Sequence, residues 1–274
     1  MISQDTFFPN LYSVIGISMG DEGKGRVVHE VLEQVQVQSG IPPAGVIKVN
    51  GGANAGHTAA GLKLNLLPSG VGNPEVQKLI IGSGVVADPR KFLWEAKPLE
   101  KRGISVFERL LIDEKTQMSD LTHRLLDLAW ENYRVKQLGM ENRGSTGRGI
   151  SPAYCDETGQ WQIFYQQFLD DRSIFKSLLQ SRVQRAMDTI RYVCKIDESD
   201  WDNFFSILTD AENRANQEAK NEGIFKSQEF DFSIFKGETP YTINFDYLEE
   251  VYWNAGQQLV DCIGDTRNVL LKSN

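Results

Sequence analysis

The first patterned stretch of the chain, residues 12–17, is an apolar run carrying Val14, Ile15 and Ile17 that ends at Met19-Gly20. A run of this length closed by glycine predicts a buried strand entering a turn. The spacing then changes: Val27, Val28, Val31, Leu32 and Val35 recur at intervals of three and four, the stripe that a helix buries against a sheet. Residues 45–49, GVIKV, are apolar and partly β-branched, and lead into the glycine-rich stretch 51–58. Strand, loop, helix and strand in this order predict a βαβ unit. Further strands are expected at 79–81 and 110–112 with a helix over 90–101, continuing the alternation of an α/β sheet. A helical pattern over 119–138 is followed by a glycine-rich break at 141–153. Helical stripes at 173–193 and 247–271 flank a mixed, charged stretch at 195–237.

The reading is therefore an α/β fold: a mainly parallel sheet with a P-loop-like phosphate loop, helices on both faces and a helical appendage in the second half. Residues 1–165 are expected to form an α/β core that carries the glycine loops, and 166–274 a mostly helical extension of the same domain. No repeat or low-complexity tract is present.

Charge and composition narrow the choice of function. With a formal net charge of −8, the chain lacks the basic balance of a nucleic-acid binder. Cys155, Cys194 and Cys262 are scattered and odd in number, which predicts neither a disulfide framework nor a zinc site. The opening residues lack the plan of a signal peptide, and no apolar stretch reaches the ~18 residues of a membrane span. A soluble, cytoplasmic protein without membrane or nucleic-acid partners is expected.

Candidate chemistry lies in two glycine loops. Gly20, Asp21, Glu22, Gly23, Lys24, Gly25 and Arg26 stand where a strand hands over to a helix, the place where free amides and the helix dipole favour an anion. Such a turn also serves packing alone, but here it carries Lys24 as a charge for phosphate oxygens. It is not a Walker A loop: Ser18 replaces the first glycine and Gly25 the magnesium-binding hydroxyl. Asp21 offers magnesium a carboxylate instead. In the second loop, His57 sits among small residues and is the best candidate acid, or hydrogen-bond donor to a transferring phosphoryl group. His29 and His123, both on expected helices, are assigned structural roles.

Five blocks together resemble the adenylosuccinate synthetase family in order and spacing. They are Gly20-Asp21-Glu22-Gly23-Lys24-Gly25; Gly51-Gly52-Ala53-Asn54-Ala55-Gly56-His57-Thr58; Leu67-Pro68-Ser69-Gly70; Gly82-Ser83-Gly84-Val85-Val86; and Gly144-Ser145-Thr146-Gly147-Arg148-Gly149-Ile150-Ser151-Pro152-Ala153-Tyr154. Ile263-Gly264-Asp265-Thr266 is a weaker sixth echo. The resemblance implies a carbon–nitrogen ligase of purine biosynthesis that moves the γ-phosphoryl of GTP to O6 of IMP, after which aspartate displaces phosphate. It implies Asp21 as base at N1, His57 as acid, Lys24 with them in the catalytic set, and Mg2+ held by Asp21 and the main-chain oxygen of Gly56. The residues of 20–26, with Gly56, His57 and Thr58, would line the nucleoside triphosphate. Asn54, Ala55 and Thr146 would join Asp21, Lys24, Gly56 and His57 around the purine monophosphate. A homodimer is also implied.

Departures from the family pattern are specific. Gln160 stands where the family carries an arginine that reaches the neighbouring subunit's monophosphate site. No segment resembles the family's later aspartate loop or guanine reader, and 195–237 matches none of its blocks. Phage-encoded relatives act on dGMP, some with ATP. Asp21, which those relatives often replace, favours IMP, with dGMP and ATP as the alternatives. A catalytically incomplete nucleotide-binding partner subunit is the other reading.

Overall fold

The structure is a computed structural model that describes residues 11–17, 22–145 and 147–267. Its centre is a four-stranded parallel sheet in the order β1 (Gly45–Lys48), β4 (Lys78–Ile81), β6 (Leu110–Asp113) and β8 (Ile263–Gly264). Registers run Val46 to Leu79, Ile80 to Leu111 and Ile112 to Ile263, all parallel. Between β1 and β4 lie the antiparallel hairpin of β2 (His57–Ala59) and β3 (Leu62–Leu64) and a short 3-10 turn, Ser69–Gly72. A minor pair, β5 (Val86–Ala87) with β7 (Gln117–Met118), sits beside the sheet.

The expected helices form, each with a local cause. Helix α1 (Lys24–Ser39) closes on Gly40 in the left-handed region. Helix α2 (Pro89–Lys101) starts with proline at its first position, where no amide bond is lost, and Asp88 caps the Arg90 amide. Asp120 and His123 make a reciprocal capping box for α3 (Leu121–Lys136). Helix α4 (Ile150–Thr158) rises out of the break expected at 141–153. Helix α5 (Arg172–Asp188) and the π turn that follows it account for the stripe at 173–193.

Three expectations are corrected. Residues 11–17 form no strand, and Ile15 and Ile17 are 79% and 99% exposed. An apolar run states a capacity for pairing, and the neighbouring edge decides whether the pairing is made. Helix α1 has no fully buried residue, and it leans on β2 and the 69–72 turn through Val28 and Leu32. The stripe at 247–271 is broken: α8 (Phe245–Gln257) stops, and the chain returns to the sheet as β8.

The second half shares the core of the first. Leu79, Ile81 and Ile112 of the sheet, Phe92 of α2, Leu125 of α3 and Phe175 of α5 belong to one contiguous apolar cluster. That cluster also holds Trp201, Phe204 and Phe205 of α6 (Glu198–Ala215) and Tyr252 of α8. The stretch at 195–237, polar on one face, thus contributes α6, the short α7 (Gln217–Asn221) and a line of buried aromatic side chains. Among the described residues, no helix is long and apolar enough to cross a membrane.

Candidate functional site

The glycine blocks meet at the carboxyl ends of β1 and β4, where open parallel sheets place their ligands. Gly51 continues β1 into a parallel bridge with Val85, and the Val86 amide donates to the Gly51 carbonyl at 2.9 Å. Tyr154 of α4 ties three blocks together: its hydroxyl accepts from the Gly51 amide at 2.8 Å and donates to the Gly84 carbonyl at 2.9 Å. Gly52 has to be glycine, since a Cβ there would lie 2.6 Å from the Val86 carbonyl oxygen and against the Ile150 side chain.

Below this junction is a charged support that sequence reading missed. Glu95 of α2 accepts from the amides of Asn65 (3.2 Å), Leu66 (3.0 Å) and Leu67 (3.1 Å), holding the exit of the β2–β3 hairpin. Lys48, at the end of β1, donates to the Asn65 carbonyl at 2.8 Å. Burial pushes the Lys48 ammonium down to about 8, against the upward pull of Glu95. Its place at a parallel strand's carboxyl end, directly before a glycine loop, was the available signal.

His57 opens β2. Its Nδ1 lies 3.0 Å from the Ala55 carbonyl, so in the neutral ring that nitrogen carries the proton. Nε2 is sealed from water and has no partner among the described residues. Burial lowers the imidazole pKa; the Ala55 hydrogen bond raises it, Lys48 lowers it further and Glu95 raises it. The ring lies on the backbone of Gly25 in the first turn of α1, where a Cβ would meet it at 2.6 Å. Among the described residues no side chain caps that helix start, the kind of place where first-turn amides receive an anion. Lys24 is paired with Glu22, and exposed Arg26 with Glu30 at 3.3 Å. Gly20, Asp21 and Thr146 lie outside the described residues.

Asn54 faces elsewhere. With Leu126, Trp130, Ser145, Pro152 and Cys155 it lines a cavity of about 780 Å³, and His57 is not on that wall. Loop 51–58 therefore presents His57 to the start of α1 and Asn54 to the cavity. Gly56 and Thr58 are exposed along it, and Ala55 is half-buried. Gln160, exposed just past the end of α4, does not line the cavity. Among the described residues no group of three or more His, Cys, Asp and Glu stands close enough to hold a metal. His123 is a buried structural residue, its Nε2 at 3.1 Å from Asp156. His29 pairs with Glu33 on α1.

The glycine turn at 147–149 is held from two sides. Arg124 Nε donates to the Gly147 carbonyl at 3.0 Å, and the Gly149 amide donates to Asp127 at 3.0 Å. Arg148 turns inward to pair with Glu212 of α6, whose carboxylate also meets Arg124 at 3.0 Å and Lys91 at 3.8 Å. Burial alone would push the Glu212 carboxyl up, but Arg124, Lys91, Arg148 and Arg90 outweigh it and hold the group down at about 2. No local pattern announced this residue, because its partners are 64, 88 and 121 positions away along the chain.

Fold and site together define an open parallel α/β protein whose glycine loops converge at the carboxyl ends of its strands. Residues 13–230 match the family model described as adenylosuccinate synthetase, and the chain belongs to that family. It is 38% identical over 176 residues to the adenylosuccinate synthetase of Synechococcus elongatus, a match covering 63% of this chain and 36% of the relative. With that of Polaromonas naphthalenivorans it is 43% identical over 148 residues, covering 53% and 31%. The chain thus spans about a third of the length of the curated relatives it matches. In three dimensions it resembles the fully ligated adenylosuccinate synthetase of Plasmodium falciparum at a TM-score of 0.59 and 21% identity, over 92% of this chain and 46% of that one, a likeness of fold.

Proposed function

We propose that the chain carries the phosphoryl-transfer part of an adenylosuccinate synthetase reaction, in which aspartate is joined to IMP through a 6-phosphoryl intermediate driven by GTP. The observation that carries this reading is His57: oriented through Nδ1 by Ala55, its ring lies against Gly25 in the first turn of α1, and its buried Nε2 has no partner among the described residues. Such a nitrogen wants a partner. An anion seated on the α1 amides would favour the imidazolium form, in which Nε2 also carries a proton, and His57 then donates from Nε2 to the oxygen on which charge grows.

Asp21 is assigned the N1 proton of the purine, which makes O6 a nucleophile. Lys24, freed from Glu22 by a competing phosphate, adds charge beside the triphosphate, with residues 20–26, Gly56 and Thr58 around it. The donors fit magnesium: the exposed Gly56 carbonyl and the Asp21 carboxylate are the hard oxygens it prefers. When bound there, the ion would neutralise phosphate charge. Asn54, Ala55 and Thr146 are assigned to the monophosphate. Retention of Asp21 favours IMP over dGMP. A homodimer is proposed from the family likeness and is read by light scattering.

The test is phosphate release by the purified chain with Mg2+, aspartate, GTP or ATP, and IMP or dGMP as acceptor. Acceptor-dependent release is expected, fastest with IMP and GTP. With His57→Asn, turnover should fall far more than nucleotide affinity. Nucleotide binding without any acceptor-dependent release would replace the reading with that of a nucleotide-binding partner subunit.

A further inference from the structure

The wall of the 780 Å³ cavity carries four arginines, Arg134, Arg143, Arg182 and Arg185, and three carboxylates, Asp127, Glu131 and Asp156. Among the described residues none of these carboxylates pairs with the guanidinium of Arg134 or Arg143. Asp156 binds Arg185 at 2.6 Å, Arg182 at 3.3 Å and His123 at 3.1 Å; Asp127 accepts from the Gly149 amide, and Glu131 from the Arg143 amide. Arg182 is further satisfied by Asp120 at 2.9 Å. Two guanidinium groups are left over. Neither Arg134 nor Arg143 makes a side-chain hydrogen bond or ion pair with any described residue, and Arg134 Nε is sealed from water without a partner.

An exposed arginine at a cavity mouth is ordinary, and Arg143 alone would mean little. A buried guanidinium N–H with nothing to donate to is not ordinary, because the lost hydrogen bond is costly. A phosphate offers guanidinium groups paired oxygen acceptors, whereas water or a carbonyl offers one. The rest of the wall suits a nucleoside. Trp130, in edge contact with Tyr133 at 5.7 Å, gives a flat apolar surface, and Asn54 and Ser145 give polar edges.

We propose that Arg134 and Arg143 form the phosphate-binding arm of this cavity and hold the 5′-phosphate of the purine monophosphate, whose presence rests on the function proposed above. Both groups come from the same chain as Asn54.

Cys155 supplies the readout. It is exposed and lines the cavity, while Cys194 and Cys262 are buried with thiols pushed up to about 12 and about 11. Neutral iodoacetamide at pH 7 should therefore alkylate Cys155 in the intact chain, and a bound ligand should slow it. IMP is expected to protect at concentrations at least tenfold lower than inosine, which lacks the phosphate. Arg134→Gln and Arg143→Gln should each raise the IMP concentration for half-protection about tenfold and leave that of inosine unchanged. Equal protection by IMP and inosine, or equal losses for both in the variants, would overturn the proposal. A second measurement separates it from the function proposed above. The Nε–H resonance of Arg134 should shift on titration with inorganic phosphate, even if no purine binds, and should stay still if the arm does not exist. A shift with phosphate and no protection by any purine would remove the monophosphate and keep the anion site.

Discussion

Replacing Glu212 with glutamine removes one negative charge and leaves Arg124, Arg148 and Lys91 facing a neutral amide in the interior. Glu212 is fully buried, so water cannot take over the role of its carboxylate. A carboxyl held at about 2 in the folded chain against 4.5 when unfolded corresponds to roughly 3 kcal/mol of stability. Breaking a buried pair by removing one partner costs about 3–5 kcal/mol, an independent figure of the same size. Because the folded-state pKa is depressed, this contribution is complete above the unfolded value near 4.5 and is lost as pH falls through 2. Urea unfolding of Glu212→Gln and the parent chain should therefore differ by about 3 kcal/mol at pH 7. The gap should close as the parent is taken from pH 5 toward 2. Hydrogen exchange should show the amides around Arg148 opening faster in the variant, since Arg148 loses its anchor. Equal midpoints at pH 7, or a gap that does not change with pH, would refute the argument that this carboxylate neutralises the arginines.

Other outcomes follow from the hairpin support. Glu95→Ala strands the amides of Asn65, Leu66 and Leu67 without their acceptor and should cost about 2–3 kcal/mol in urea unfolding, while Glu95→Gln, which keeps an acceptor oxygen, should recover part of it. Lys48 should titrate near 8: competitive labelling with acetic anhydride is expected to show its reactivity rising around that pH. Since its charged form is disfavoured in the folded chain, its share of stability should increase between pH 8 and 10.5. A labelling midpoint near 10.5 would place Lys48 in water.

The strands at Gly45–Lys48, Lys78–Ile81 and Leu110–Asp113 and the helices α1, α2, α3 and α5 were legible in the sequence. Each is written in a local period: short apolar runs for the strands, of which β4 and β6 are mostly buried and β1 buries Val46 alone, and three-and-four spacing for helices. The same holds for the glycine blocks, whose spacing reflects backbones that must pass within contact distance, as at Gly52. The run at 12–17 was misread, because its pattern has no information about which sheet edge would receive it. The stripe at 247–271 was misread for the same reason: Ile263 and Gly264 are as compatible with a helix end as with a strand, and β6 decides between them.

By itself the sequence determined the class of fold, the loop that carries His57 and the likeness to the adenylosuccinate synthetases, because all three rest on residues close together in the chain. Only the tertiary structure decided that the segment 195–237 is part of the core, that Arg148 is drawn inward by Glu212, and that Arg134 and Arg143 are the arginines left without carboxylates beside Asn54. Charge compensation in a protein interior is settled by proximity across elements, and proximity between α3, α6 and the glycine turn exists only after folding.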